Sequence, residues 1–177
     1  MKLLASIALM TFAGPLAAMA AEIAIQGAFA TAYTASANTG GASYCDPTNT
    51  ILPIAVESHG EGFMSLGAVL FTLQKGVTFN GPEHGCATFT APNGDTLTAV
   101  YTGTGGTFDS NNFAPAAGKL VFTGGTGRFK GATGTAKFTA TVTIFYPGIT
   151  FLAGTSAPAQ GMAFHVIDGM LSPPDHH

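Results

Sequence analysis

Charge is scarce in this sequence. Only 8% of its 177 residues are Asp, Glu, Lys or Arg, against about a quarter in ordinary globular domains. The formal net charge is −3. No basic footprint for nucleic acid exists, and anionic membrane surfaces are excluded as partners on the same ground. Tryptophan is absent and cysteine occurs twice. HExxH, Cys-x-x-Cys, a nucleophile elbow and an EF-hand loop are all missing, so no metal site or cofactor is expected. Disorder is excluded too, because 46% of the residues are apolar and net charge is small.

What is present is glycine, 24 residues of it, with many threonines. That composition suits an all-β protein with tight turns. The N-terminus carries part of the hydrophobicity. Lys2 is the only charge before Glu22, Leu3 to Phe12 is apolar, and Gly14-Pro15 breaks the run. Ala18-Met19-Ala20 then places small residues where a signal peptidase reads. The expectation is a cleaved signal peptide over 1–20, a single domain over 21–172 and a flexible tail over 173–177. The run is too short for a membrane span, and polar residues interrupt every later apolar run. The protein is expected to be exported, periplasmic or secreted. An even cysteine count in that compartment points to a disulfide between Cys45 and Cys86, with two buried thiols or a metal pair as the alternatives.

Strand signals recur along the mature chain. Ile23–Ser36 alternates small and large residues at period 2. Ile51–Glu57 follows, with Pro53 suiting a strand start or edge. Phe63–Gln74 reads as a buried strand or hairpin, after a glycine-rich break at His59–Gly62. Cys86–Thr90 and Thr96–Thr102 flank Asn93-Gly94, the pair typical of a type I′ turn. Phe108–Gly118 reads as a loop. Lys119–Thr123, Thr135–Tyr146, a short Ile149–Ala153 and Met162–Leu171 complete about eight strands. A barrel or a sandwich is expected.

The segment Gly124-Gly125-Thr126-Gly127-Arg128-Phe129-Lys130-Gly131-Ala132-Thr133-Gly134 resembles the GGTG-x-F-x-GA-x-G turn of allene oxide cyclase and dirigent proteins. Ala91-Pro92-Asn93-Gly94-Asp95-Thr96-Leu97 resembles the A-x-NGD-x-L hairpin of an exported bacterial group of that superfamily. The likeness is strongest from Cys86 to Tyr146, about a third of the chain. That group often has His-Leu-Gly after its second strand; here Ser65-Leu66-Gly67 stands there, without the histidine. The resemblance implies an antiparallel, eight-stranded closed β-barrel with an apolar interior. Plant allene oxide cyclases isomerise an oxidised fatty acid in that cavity, dirigent proteins guide radical coupling, and some bacterial relatives catalyse cyclisations. The motif is specific for fold and not for function.

The glycine turn is not a phosphate loop. Its spacing fits neither GxGxxG nor GxxxxGK[ST], and a strand follows it rather than a helix. Gly124, Gly125, Gly127, Gly131 and Gly134 serve turns and close packing, Arg128 a loop carbonyl or carboxylate, and Phe129 a barrel end. Glu57, His59 and Glu61 alternate on one strand face. Turned inward, they would suit general acid/base work or a weak metal site; turned outward, they are a solvated face. Tyr33, Tyr101, Tyr146 and His165 lie in strands and are the candidates for lining a ligand cavity, although packing explains them equally well. Three functions follow: a barrel binding a small hydrophobic molecule in its lumen, a cofactor-independent cyclase or isomerase, or an interaction module of the cell envelope.

Overall fold

A computed structural model describes residues 21–145 and 158–172. The expected signal peptide, the tail, Tyr146 and the short strand Ile149–Ala153 lie outside them. Eight strands run in order: β1 (Ile23–Ala37), β2 (Ile54–Met64), β3 (Gly67–Val77), β4 (Pro82–Thr90), β5 (Thr96–Gly105), β6 (Phe113–Gly125), β7 (Thr133–Ile144) and β8 (Ala159–Ser172). Each pairs antiparallel with the next. β1 also pairs with β8, from Ile23 opposite Leu171 to Ala35 opposite Ala159, which closes the barrel. Closure removes both sheet edges, so among the described residues no unpaired strand is left to recruit another.

Period-2 alternation gives the barrel its inside. On β1, Ile25, Phe29, Thr31, Tyr33 and Ala35 are buried while their neighbours are exposed or half-exposed. One end is filled by aromatic rings. Phe29 and Phe71 stack at 5.0 Å between centroids, Phe71 and Phe89 lie at 5.1 Å, and Phe122 joins Phe89 at 6.3 Å. Ile25, Leu97, Leu171 and Phe129 complete that cluster. Phe129 comes from a 3₁₀ turn, Gly127–Phe129, between β6 and β7. Arg128 donates from Nη2 to the Leu66 carbonyl at 3.3 Å, and its backbone N–H donates to Asp95 Oδ2 at 3.2 Å. Asp95 thereby ties the β4–β5 hairpin to the glycine turn.

Several strand boundaries and one turn differ from the sequence expectation. β2 does not break at His59–Gly62 but continues to Met64. Gly60 and Gly62 are interior positions where an added Cβ would collide with the carbonyls of Ala30 and Ala28, and at Gly62 with the Phe29 ring as well. These glycines mark close strand approach rather than a turn. β6 begins at Phe113, so only residues 106–112 form the loop expected over Phe108–Gly118. At Asn93-Gly94, only Gly94 takes a positive φ (+87°), so the turn is not type I′. Its amide instead closes onto the Ala91 carbonyl at 2.9 Å.

Cys45 and Cys86 form a disulfide, with Cα atoms 5.4 Å apart. Cys86 faces outward on β4, so the bond straps the β1–β2 connection over the outer wall. Leu52 and His84 are buried beneath that strap. Asn38 braces it by donating from Nδ2 to the carbonyls of Ala42 and Leu52.

Candidate functional site

The half of the lumen away from the phenylalanine cluster is not filled. A cavity opens between the β3–β4 turn and the β5–β6 loop. Its volume is about 100 Å³. Its walls are apolar: Ala35, Val56, Val77, Ala116, Val142 and Ile144 all contribute. Strand alternation turns Ala35, Val56 and Ala116 inward, while Thr78 and Pro115 join the lining near the mouth.

The floor is polar. Lys75 continues the inward series Val69, Phe71, Leu73 on β3, and Glu83 shares the inward face of β4 with Ala87 and Phe89. Lys75 Nζ donates to Glu83 Oε2 at 2.7 Å, and the Tyr101 hydroxyl donates to the same oxygen at 3.0 Å. The ammonium also sits 5.7 Å from the Tyr101 ring centroid. Burial, and then the Glu83 charge and hydrogen bond, hold the Tyr101 phenol well above its ordinary pKa. Tyr101 is therefore a neutral donor at any physiological pH. It reaches across the wall at Gly103 and Gly118, where an added Cβ would strike its ring or hydroxyl.

His165 sits beside this pair, between the rings of Phe71 and Phe138 at 5.3 and 5.1 Å. Its Nε2 lies 2.9 Å from Thr31 Oγ1, and Thr31 Oγ1 lies 3.4 Å from the Ala163 carbonyl. Both contacts are satisfied together when the imidazole donates to Thr31 and Thr31 donates onward to Ala163. Nδ1 is buried and has no hydrogen-bond partner among the described residues. Burial, reinforced by the Lys75 charge, lowers the His165 pKa to about 3. The ring is neutral, a hydrogen-bonding surface rather than a proton store. Tyr33 lines the wall, donates to the Thr143 carbonyl at 2.8 Å, and is pushed by burial up to about 12.

The sequence candidates thus separate. Tyr33, Tyr101 and His165 are interior; Tyr33 and His165 line the cavity, and Tyr101 reaches it only through its bond to Glu83. Tyr146 lies outside the described residues. Glu57, His59 and Glu61 do share one face, but it is the outer one, because Val56 and Ser58 take the inward positions of β2. All three are exposed, so they take no part in the lumen. Among the described residues no group of three His, Cys, Asp or Glu side chains could hold a metal. No sequence motif marks Lys75 and Glu83. Lys75 was legible by parity with Val69, Phe71 and Leu73, whereas Glu83 sits one residue after a proline that reads as a turn.

A second surface stands out on the outer wall. Phe63 on β2, Leu70 on β3, and Met162, Phe164 and Val166 on β8 are exposed. Ala28, Ala30 and Ala32 of β1 lie between them in register, with Ala28 opposite both Phe63 and Val166. The alanines are flanked by an apolar ridge on β8, and on β2 by Phe63 followed by Glu61 and His59, which stand opposite Ala30 and Ala32.

No family model, no curated protein and no solved structure matches the chain.

Proposed function

We propose that the barrel binds a small, largely apolar molecule in the open half of its lumen. One observation carries this: an apolar cavity ends on a compact polar floor of Lys75, Glu83 and His165, with Tyr101 bonded to Glu83 behind it. Apolar walls supply affinity and a few convergent polar groups supply orientation, the usual composition of a ligand pocket. The glycine turn and the Asn93-Gly94-Asp95 hairpin support membership of the exported bacterial group in the allene oxide cyclase and dirigent superfamily. The disulfide accords with export. The test is mass spectrometry of small molecules that co-purify with the protein and with Ala116→Phe, which fills the cavity. Ligand carried by the parent and absent from the variant supports binding; identical extracts from both remove the proposal.

A second reading is cofactor-independent isomerisation or cyclisation. It is favoured by the same floor, where Glu83 can accept a proton and Lys75 can stabilise a developing oxyanion. Turnover of an unsaturated ketone or epoxide that Glu83→Gln abolishes would support it. The exposed apolar ridge of β8, with Phe63 and Leu70 nearby, favours a third role, as an interaction module. Sedimentation of the parent and of Phe164→Glu tests that; a monomer in both cases counts against it.

A further inference from the structure

The floor of the cavity has unspent hydrogen-bonding capacity of a particular kind. Both bonds to Glu83 fall on Oε2, and Oε1 has no partner among the described residues. The Lys75 ammonium carries three protons, one of which is used. Ser58, buried at 3% exposure, lines the same cavity, and its hydroxyl has no partner among the described residues. The ionisable groups facing the floor are Lys75 from β3, Glu83 from β4, Tyr101 from β5, His165 from β8 and Tyr33 from β1. Of these, one is a cation and one an anion. β2, β6 and β7 add none to the lining.

We infer that the ligand's polar end is a neutral hydroxyl, and that anionic and cationic heads are rejected. The inference rests on the lumen-binding proposal above. A hydroxyl oxygen accepts from Lys75 Nζ while its proton goes to Glu83 Oε1. Both atoms belong to one ion pair, so a single oxygen can reach both. Neither charge then loses its partner. A carboxylate would stand as a second anion beside Glu83 in a poorly solvated site, and an ammonium as a second cation beside Lys75. A carbonyl satisfies Lys75 and leaves Glu83 Oε1 unmet. The site selects by the sum of its charges, which is zero, rather than by the lysine alone.

The experiment is a calorimetric titration of the purified protein at pH 7 with octan-1-ol, octanoate, octylamine and octane. Octan-1-ol is expected to bind at least about tenfold more tightly than each of the other three, the size of one hydrogen bond to a charged group. Glu83→Gln keeps an acceptor for Lys75 and removes the anion. In that variant octanoate is expected to gain about tenfold and overtake octan-1-ol. The double variant Lys75→Met/Glu83→Leu removes the pair together and is expected to bind octan-1-ol no better than octane. Octanoate binding the parent as tightly as octan-1-ol overturns the head-group inference while lumen binding stands. Failure of all four to bind the parent overturns both.

Discussion

Lys75 Nζ lies 2.7 Å from Glu83 Oε2 in the interior of a barrel whose other inward residues are almost all apolar. Each side chain is more than nine-tenths buried. Adjacent strands carry the two residues to the same level of the lumen, and Tyr101 from a third strand caps the shared oxygen.

Removing one member of such a pair strands the other. Lys75→Met is expected to destabilise the fold by about 3–5 kcal/mol, because Glu83 is left charged and poorly solvated. Lys75→Met/Glu83→Leu is expected to recover most of that loss, since no ion remains. Urea unfolding of the two variants measures the difference, and a double variant no more stable than the single one refutes it.

His165 makes stability depend on pH in a defined window. Its pKa is about 3 when folded and 6.5 when free. Below 6.5 the unfolded chain takes up a proton that the folded chain refuses. The stability is therefore whole above 6.5 and falls as pH drops toward 3, at roughly 1.4 kcal/mol per unit. Between pH 6.5 and 5 carboxylates hardly titrate, so His165→Leu is expected to flatten the slope there. A parent whose unfolding midpoint is constant across that interval refutes the assignment.

The strap over the outer wall is held by Cys45 and Cys86, 41 residues apart. Reduction, or Cys45→Ser with Cys86→Ser, is expected to lower stability by about 4 kcal/mol through the freed unfolded chain. Amide exchange should rise first between Asn38 and Pro53. Uniform loss of protection across all strands would place the bond's role elsewhere.

Interior glycines are expected to be intolerant where the barrel wall is tightest. Gly60→Ala pushes a methyl into the Ala30 carbonyl, whereas Gly40→Ala, in the outer strap, meets nothing within 4 Å. The first should cost about 1–3 kcal/mol and the second almost nothing. Equal melting temperatures for the two would contradict the strand register at β1 and β2.

Much of the barrel was legible because inward and outward residues alternate without ambiguity in β1, β5, β7 and β8. Alternation separated the two faces without saying which was inner: on β8 the larger apolar residues Met162, Phe164 and Val166 point outward and His165 inward. Where the alternation uses glycine, the signal fails: Gly60 and Gly62 have no side chain to show which way they face, so β2 read as broken. The triad Glu57, His59 and Glu61 was recognisable as one face, but which face depended on Val56 and Ser58 beyond the break. Glu83 was hidden differently, since a strand that opens on Pro82 looks like a turn until its partner Thr104 is known. The ion pair is a relation between strands, and no local pattern encodes it.

The phenylalanine cluster makes the lumen a vessel and not a conduit. Under the lumen-binding proposal, a guest would leave by the opening that the described residues show, past Val77 and Ile144. Two molecules cannot follow one another through, and one lodged at the rim delays the escape of one lodged beneath. Exchange should therefore slow, rather than quicken, when a bulky competitor is added in excess to the loaded protein. The order of arrival, and not only the affinity of each guest, would then decide which is retained.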